Sequence, residues 1–223
     1  MEDTVTILKV KESILEDNDA DAEVLRGTLK DEHTFYLNLM SSPGSGKTSL
    51  LKQTISRLKD RYAIGVMEAD IDSDVDARAI ASLGVKAIQI HTGGMCHLDA
   101  DMSRQGLKEI GSKDLDLVVL ENVGNLVCPA EFDTGAHKNA VILSVPEGDD
   151  KPLKYPLMFE KADAVIINKI DAMEVFDFSI EKAAQYIHMR HPDIPVFAVS
   201  AATGEGIDAW CRWLEEQIRG EQA

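Results

Sequence analysis

The sequence is poor in positive charge. Its 223 residues include 23 lysines and arginines against 39 aspartates and glutamates, which gives a formal net charge of −16 at pH 7. A protein that binds nucleic acid or an anionic membrane surface needs a basic face, and this charge balance argues against both. We therefore expect neither nucleic acid nor a membrane among its partners.

Long apolar runs are also missing. No stretch reaches the roughly 18 apolar residues that a membrane span requires. The first 31 residues are strongly charged and have no apolar signal-peptide core. These features predict a cytoplasmic protein. The length and the ordinary hydrophobic content of 44% predict one domain over residues 1–223, with residues 1–33 as an N-terminal helical extension.

Cysteine is scarce. The three cysteines, Cys96, Cys128 and Cys211, cannot all pair within one chain. In a cytosolic protein such thiols are buried residues, metal ligands or nucleophiles. Cys211 lies next to Trp210 on a segment with helical spacing, and we assign it to packing.

What the sequence does contain is a regular alternation of two kinds of segment. Short, almost wholly apolar runs are typical of strands covered on both faces, and helix-length amphipathic segments separate them. The apolar runs are 34–40, 63–67, 85–90, 115–120, 140–145, 164–167 and 196–199. The helical segments are 10–29, 47–61, 76–83, 98–111, 180–190 and 206–219. The pattern predicts an α/β fold with a doubly wound, mostly parallel sheet of about seven strands and an extra N-terminal helix.

The segment after the first apolar run reads SSPGSGKT, which matches the Walker A motif between a strand and a helix. It predicts a P-loop NTPase fold, although Ser41 replaces the first glycine of the pattern. The glycines allow backbone N–H groups to face phosphate oxygens, the lysine reaches the β- and γ-phosphates, and the threonine hydroxyl binds Mg²⁺. The residues that we expect to contact nucleotide here are Ser42, Pro43, Gly44, Ser45, Gly46, Lys47, Thr48 and Ser49.

The sixth apolar run is followed by the sequence NKID, which resembles the N-K-x-D motif that reads guanine. The Asp171 carboxylate can accept hydrogen bonds from N1–H and the exocyclic amine of guanine, a donor pair that adenine lacks. Lys169 can lay its aliphatic stem on the base, and we expect Asn168 to tie this loop to the phosphate loop. Ser200 and Ala201 follow the last apolar run, where GTPases place a backbone N–H near guanine O6.

The fourth apolar run ends in ENVG, which resembles the D-x-x-G switch of GTPases with glutamate in place of aspartate. We expect Glu121 to lie near Mg²⁺ and the Gly124 N–H to meet the γ-phosphate. The next residue is Asn125 rather than glutamine. Because phosphoryl transfer depends mainly on positioning and charge stabilisation, we expect slow intrinsic hydrolysis.

An acidic run follows the second apolar run. We expect Asp70 or Asp72 to approach Mg²⁺ or the attacking water at the strand end, without a choice between the two. For Asp74 and Asp76, a solvated helix start capped by carboxylates is an equally good interpretation. The predicted catalytic set is therefore Lys47, Asp70, Asp72 and Glu121, and the predicted Mg²⁺ ligands are Thr48, Asp70 and Glu121.

A vicinal Cys96-His97 pair follows two glycines, and Cys128 lies four residues after Gly124. Thiolate and imidazole suit Ni²⁺ or Zn²⁺ rather than Mg²⁺. Either feature alone is more often a buried thiol or a structural histidine. Three ligands imply an open site or one shared across a two-fold axis. Movement of Gly124 between nucleotide states would displace Cys128 directly.

Four motifs together are similar to those of the hydrogenase-maturation nickel-insertion GTPases of the HypB family, within the SIMIBI class. They are SPGSGKT at 42–48, GGMCHL at 93–98, ENVGNLVCPA at 121–130 and PEGDDKP at 146–152, and the similarity runs from about residue 10 to the C-terminus. The resemblance implies a GTP-dependent homodimer with a Ni²⁺ or Zn²⁺ site at its interface. It implies Cys96, His97 and Cys128 as the ligands, and delivery of nickel to the hydrogenase large-subunit precursor together with another nickel-maturation factor.

The sequence departs from many bacterial members of that family. They carry an N-terminal cysteine motif and a histidine-rich stretch, whereas here the first cysteine is Cys96 and only His33 precedes the phosphate loop. We expect metal binding to rest on the interface site alone, in a short form without a nickel-storage role. We also hypothesise that Lys151 or Lys154 supplies positive charge to the nucleotide or to the facing subunit. A solvated surface lysine is the equal alternative.

Two other functions remain open from the sequence. The same machinery can serve urease or another metalloenzyme, although the Cys-Pro-His triplet of urease accessory GTPases is missing. A GTP-binding regulatory switch with structural cysteines is the second. The ligand types do not rank Ni²⁺ against Zn²⁺, because both metals accept them.

Overall fold

The computed structural model describes residues 10–70 and 75–222. Seven strands and nine helices alternate along this part of the chain. The strands are β1 Phe35–Ser41, β2 Ile64–Asp70, β3 Lys86–His91, β4 Leu117–Glu121, β5 Lys138–Ser144, β6 Ala164–Asn168 and β7 Val196–Ala198. The helices are α1 Val10–Asp31, α2 Lys47–Leu58, α3 Val75–Ala81, α4 Ala100–Ile110, α5 Cys128–Glu131, α6 Lys151–Lys154, α7 Pro156–Glu160, α8 Ile180–His188 and α9 Ile207–Gln222.

The strands form one sheet in the order β3-β2-β4-β1-β5-β6-β7, and every neighbouring pair is parallel. β1 lies at the centre of the sheet. Strands β2, β3 and β4 lie on one side of it and β5, β6 and β7 on the other, so the direction in which the chain adds strands reverses at β1. In open parallel sheets, ligands bind outside the carboxyl ends of the strands at such a reversal. The phosphate loop leaves the sheet from β1, at this point.

The sheet is covered on both faces. One face packs against α2, α3 and α9, with Leu50, Ile80 and Trp210 among the buried side chains. The other face packs against α1 and α4 over one half of the sheet, and against α5, α7 and α8 over the other half. Cys211 lies in the first of these cores and is 4% exposed, as the packing assignment predicts.

The prediction of a doubly wound α/β fold with about seven strands and an N-terminal helix is confirmed, and the sheet is wholly parallel. Predicted and observed strands agree to within two or three residues at each end. The short helices α5, α6 and α7 were not predicted, because four or five residues are too few to show a helical period. No helix in the described parts of the chain has the length and apolarity needed to cross a membrane.

Candidate functional site

A cavity of about 420 Å³ opens at the carboxyl ends of β1, β2 and β4. Its walls come from the phosphate loop, the ends of β2 and β3, the first turn of α3 and the loop after β4. Predicted site residues that line it are Pro43, Gly44, Gly46, Lys47, Thr48, Ser49, Asp70, Glu121 and Gly124. Further lining residues are Glu68, Ala69, Asp76, Gln89, Asn122 and Val123.

The phosphate loop depends on two glycines in the left-handed region, Gly44 at φ 73° and Gly46 at φ 100°. Gly46 directly precedes α2, so the N-terminal N–H groups of that helix face the cavity. Ser41 ends β1, its hydroxyl donates to the Ser42 carbonyl at 2.7 Å, and it accepts from Lys47 Nζ at 3.2 Å. The serine that replaces the first motif glycine therefore holds the lysine head at the edge of the cavity.

Thr48 and Glu121 meet at the base of the cavity, where Thr48 Oγ1 donates to Glu121 Oε1 at 2.9 Å. Glu121 is 5% exposed, and the neighbouring Glu68 is 3% exposed. Burial, together with the adjacent Glu121 carboxyl, raises the pKa of Glu68 far above its ordinary value. Burial likewise raises the pKa of Glu121. The ionised forms of two neighbouring buried acids with raised pKa values would be stabilised by a cation beside them.

The acidic segment after β2 reaches the cavity in part. Asp70 is the last residue of β2 and lines the cavity, and Asp76 in the first turn of α3 lines it as well. Asp76 therefore faces the cavity rather than only solvent. Asp72 and Asp74 lie outside the described residues, so their predicted roles stay predictions.

The loop after β4 packs directly on the phosphate loop. A Cβ placed on Gly124 would lie 3.0 Å from the Cα and N atoms of Pro43, so any larger residue would push the two loops apart. The start of the loop is fixed by buried amides: Asn122 Nδ2 donates to Asn38 Oδ1 at 3.0 Å, and the Val123 N–H donates to Asn122 Oδ1 at 2.8 Å. These bonds anchor the start of the loop to β1.

The NKID loop (168–171), predicted to read the base and called the base-reading loop below, is tied to the phosphate loop through Asn168. Its Nδ2 donates to the Ser45 carbonyl at 2.9 Å, and its Oδ1 accepts from the Ala201 N–H at 3.1 Å. A Cβ on Gly46 would lie 2.5 Å from Asn168 Nδ2, so the second loop glycine makes room for this amide. One buried side chain thus joins three loops.

The other two motif residues face outward from this junction. Lys169 adopts φ 64°, and its Nζ donates to the Gly44 carbonyl at 2.6 Å. Asp171 is exposed, and the Ser200 hydroxyl donates to its Oδ1. The hydroxyl of Ser200 orients the carboxylate, so the predicted guanine contacts Lys169, Asp171, Ser200 and Ala201 lie together beside the phosphate loop.

Cys96, His97 and Cys128 come together on the far side of the loop after β4, with ligand atoms all within 4.8 Å of one another. Cys96 Sγ lies 2.7 Å from Cys128 Sγ and 3.8 Å from His97 Nδ1. Cys96 and Cys128 are separated by 32 positions in the chain, so the tertiary fold brings their thiols together. The cluster lies at the surface, because Cys96 is exposed.

The imidazole of this cluster is held flat against an aromatic ring. His97 stacks on Phe132 with ring centroids 3.8 Å apart and an interplanar angle of 16°. Burial lowers the pKa of His97, which favours the neutral imidazole that a metal ligand requires. The hydrogen bond to Cys128 raises the pKa of Cys96, an effect that a bound metal cation would reverse.

Asn125 occupies the position where GTPases with the D-x-x-G switch carry glutamine, but its side chain contacts the loops of the thiol cluster. Its Oδ1 accepts from the Val127 N–H at 2.8 Å, and its Nδ2 donates to the Cys96 carbonyl at 3.5 Å. The side chain therefore bridges the loops that carry Cys96 and Cys128 and does not line the cavity. This role could not be read from the local sequence, because it depends on the approach of the Cys96 loop.

The remaining candidates lie away from the cavity. Lys154 Nζ pairs with Asp150 Oδ2 at 2.6 Å, and Lys151 Nζ lies 5.0 Å from the centre of the Tyr155 ring. His137 is a core residue whose Nδ1 accepts from the Tyr36 N–H at 3.0 Å. Glu68 and Gln89 are among the cavity residues that were not predicted from the sequence. A glutamate and a glutamine at the ends of otherwise apolar runs were the available signal.

A protein-family model, the nucleotide-binding domain of CobW/HypB/UreG, matches residues 36–198 of this chain. The hydrogenase maturation factor HypB of Azotobacter vinelandii is 47% identical over 211 residues, which cover 95% of this chain and 70% of that protein. The match spans both the phosphate loop and the thiol cluster.

Two solved structures of HypB proteins share the fold. The crystal structure of HypB from Helicobacter pylori in complex with nickel has a TM-score of 0.86 and 41% sequence identity, and the match covers 92% of this chain and 97% of that one. The crystal structure of the hydrogenase maturation factor HypB from Archaeoglobus fulgidus has a TM-score of 0.85 and 37% identity, and the match covers 91% and 99% of the two chains.

Proposed function

The chain belongs to the CobW/HypB/UreG family and, within it, to the HypB hydrogenase maturation factors. We propose that it is a GTPase that controls delivery of nickel to the [NiFe]-hydrogenase large-subunit precursor. In this proposal nickel is the cargo, held by Cys96, His97 and Cys128. GTP binding and hydrolysis in the cavity change how the cargo is held. A second nickel-maturation factor acts with this protein in the cytoplasm.

Guanine specificity rests on Asp171, whose carboxylate is held by Ser200 at the mouth of the base-reading loop. Two donors on guanine, N1–H and the exocyclic amine, match its two oxygens. ATP would leave this carboxylate without those donors, which is the kind of mismatch that discriminates strongly between ligands. We therefore expect GDP and GTP to bind and ADP and ATP to fail.

The cavity fits Mg²⁺ as the partner of the nucleotide. The ion is a hard cation that takes oxygen ligands, and Thr48, Asp70 and Glu121 offer a hydroxyl and two carboxylates. Among the described residues, the buried Glu121 Oε2 has no hydrogen-bond donor other than a protonated Glu68 carboxyl, as expected of an oxygen placed to bind a cation. Bound there, Mg²⁺ would neutralise charge on the β- and γ-phosphates.

Hydrolysis is expected to be slow. Lys47 is placed to stabilise charge on the phosphates, and Asp70 and Asp72 are the candidates for orienting the attacking water. Asn125 does not supply the missing glutamine, because its amide bridges the cysteine loops. Charge stabilisation without a well-oriented water gives only part of the rate enhancement of a full GTPase site.

The observation that carries the proposal is the shared loop between the two sites. Gly124 packs on Pro43 of the phosphate loop, and Cys128, four residues later, lies 2.7 Å from Cys96. A γ-phosphate that draws or displaces Gly124 therefore acts on one of two paired thiols. This gives a physical route from nucleotide state to metal affinity.

Three ligands from one chain leave a Ni²⁺ or Zn²⁺ site incomplete, which supports a homodimer that closes the site across a two-fold axis. Apolar side chains at the cluster fit that arrangement, since Met95 is 45% exposed and Val127 is 52% exposed. Lys151 or Lys154 would add positive charge to the nucleotide or to the facing subunit when GTP is bound.

The test is metal binding at equilibrium. Ni²⁺ and Zn²⁺ are titrated into the parent and into Cys96→Ser and Cys128→Ser, each with GDP and with a non-hydrolysable GTP analogue. We expect both variants to lose at least tenfold in affinity and the parent to bind with different affinities in the two nucleotide states. Cys211→Ala is the matched control, because Cys211 is buried in the core and should leave metal binding unchanged.

Equal metal binding by Cys96→Ser, Cys128→Ser and the parent would overturn the metallochaperone proposal. It would favour a GTP-binding switch with structural cysteines. The titrations also rank Ni²⁺ against Zn²⁺, which compete for the same thiolate and imidazole ligands.

A second client is a related candidate. HypB of Helicobacter pylori is a hydrogenase/urease maturation factor, and it is 42% identical to this chain over 216 residues. The same cavity and thiol cluster could deliver metal to urease or to another metalloenzyme. Nickel transfer from the loaded protein to purified hydrogenase precursor or urease apoprotein separates these clients.

A further inference from the structure

Three polar side chains stand side by side at the floor of the nucleotide cavity. Glu68 on β2 is in register with Glu121 on β4 on one side and with Gln89 on β3 on the other. Paired positions on neighbouring strands point to the same face of a sheet, so the three side chains form a row. All three line the cavity beside Thr48.

The row carries buried polar atoms that lack a hydrogen-bond donor or acceptor among the described residues when both acids are ionised. They are Glu68 Oε1, Glu121 Oε2 and both amide atoms of Gln89. The Glu68 and Glu121 carboxyls can hydrogen-bond to each other only when one of them is protonated. Glu68 itself is only 3% exposed. Buried polar groups are nearly always paired in folded proteins, so a cluster of unpaired ones at a cavity is typical of a site whose ligand supplies the partners.

The charge of the cavity indicates which ligand this is. Its described lining includes the carboxyl groups of Glu68, Asp70, Asp76 and Glu121, against the ammonium group of Lys47. A nucleotide adds further negative charge, so phosphates and carboxylates can share the cavity only with a divalent cation between them. Mg²⁺ keeps several of its water ligands, and each of these waters needs hydrogen-bond acceptors.

We propose that Glu68 and Gln89 are positioning residues for nucleotide-bound Mg²⁺. Glu68 would accept hydrogen bonds from water ligands of the ion. The Gln89 amide would donate to the Glu68 carboxylate and accept from a water ligand. This inference rests on the proposed function, in which the cavity binds a guanine nucleotide with Mg²⁺.

The test measures binding of fluorescently labelled GDP as a function of free Mg²⁺, in the full-length parent, Glu68→Gln and Gln89→Leu. Loss of outer partners typically weakens metal affinity about 10- to 100-fold. We expect both variants to need an at least tenfold higher free Mg²⁺ concentration to reach half of the Mg²⁺-induced change in GDP affinity. Their GDP affinity in EDTA should stay within about twofold of the parent, because the row contacts the hydrated ion rather than the nucleotide.

Matched controls are Glu109→Gln and Gln105→Leu, the same changes at exposed positions on α4. Both should keep the Mg²⁺ dependence of the parent. If Glu68→Gln fails to fold, Glu68→Asp keeps the carboxylate but withdraws it by one methylene. It should need more Mg²⁺ than the parent does.

Two results would overturn this inference without overturning the proposed function. One is an unchanged Mg²⁺ dependence in Gln89→Leu and in the Glu68 variants, with GDP still bound. The other is an equal loss of GDP affinity with and without Mg²⁺, which indicates a merely structural role. Failure of the parent to bind GDP, or to respond to Mg²⁺, is a different result that overturns the proposed function as well.

Discussion

At the scale of the residue, Gly46 is held by two independent constraints. Its φ of 100° suits glycine, and a Cβ would lie 2.5 Å from Asn168 Nδ2. We expect Gly46→Ala to lose about 1–3 kcal/mol of stability through backbone strain. It should also abolish guanine nucleotide binding, because Asn168 is displaced from the Ser45 carbonyl. Calorimetric titration with GDP and urea unfolding measure the two effects.

The matched control for that change is Gly27→Ala in α1, where an added Cβ meets nothing within 4 Å. Alanine favours a helix over glycine by up to about 1 kcal/mol, so this variant should be as stable as the parent or more stable. Unimpaired GDP binding by Gly46→Ala would contradict the role of Asn168 in joining the base-reading loop to the phosphate loop.

His137 should make stability depend on pH. Burial lowers its pKa, and its Nδ1 accepts from the Tyr36 N–H, so the folded protein holds it neutral. The unfolded chain takes up a proton near the ordinary pKa of about 6.5. The folded state takes it up only at lower pH, so stability should fall as pH decreases below about 6.5.

The change that tests this is His137→Asn, which keeps an acceptor for Tyr36 but cannot titrate. We expect the free energy of unfolding of the parent to drop more steeply between pH 7 and pH 5 than that of the variant. Urea unfolding at a series of pH values gives both slopes. Equal slopes would show that other groups cause the acid sensitivity.

At the residue scale, candidate site residues could be named where the motif is local in sequence, and their chemical roles stay predictions. The strings around Lys47, Asn168 and Cys128 each carry their meaning within a few residues. Glu68 and Gln89 were missed because their proximity to Glu121 follows from strand register, a relation between segments that are distant in the chain. Strand order and register are decided by the whole sheet and not by any one segment.

At the scale of the element, α1 is part of the packed structure rather than an appendage. Leu25 and Leu29 are 4% and 1% exposed and join the core formed with α4. Arg26 Nη2 reaches Asp133 Oδ2 at 2.7 Å, and Asn18 Nδ2 donates to the Asp133 carbonyl. Helix α1 therefore holds Asp133, which lies in the segment after α5, and α5 begins at Cys128 of the thiol cluster.

Leu29→Ala should destabilise the protein by about 2–5 kcal/mol, the usual cost of truncating a fully buried leucine. Val24→Ala on the same helix, at a residue that is 67% exposed, is the control and should change stability by no more than about 0.5 kcal/mol. Urea unfolding provides the measurement. A small effect of Leu29→Ala would mean that α1 detaches without loss of the core.

The long elements were predictable because each shows several repeats of its pattern. The helices α5, α6 and α7 were not, although Pro129, Pro152 and Pro156 each stand in the first positions of one of them. Proline favours the first turn of a helix, so these residues were a usable signal. Periodicity could not add to it over such short segments.

At the scale of the whole molecule, the expected assembly is a GTP-dependent homodimer. We expect one of the variants Lys151→Ala and Lys154→Ala to raise the dimer dissociation constant of the GTP-analogue form at least tenfold, which corresponds to about 1.4 kcal/mol. Lys113→Ala, at an exposed lysine after α4, is the control. Sedimentation equilibrium measures the dimer fraction. Unchanged dimerisation and turnover in both variants would remove these lysines from the interface.

The loop from Gly124 to Cys128 has a thermodynamic consequence. Gly124 and Cys128 are four positions apart, so they lie at most about 14 Å from each other and neither can move far without the other. Coupling between two binding sites is reciprocal: the factor by which GTP changes the affinity for metal is the factor by which metal changes the affinity for GTP. Under the proposed function, the free nickel concentration would set how tightly the protein holds its nucleotide, and the metal-free and metal-bound forms of the thiol cluster would favour different nucleotide states.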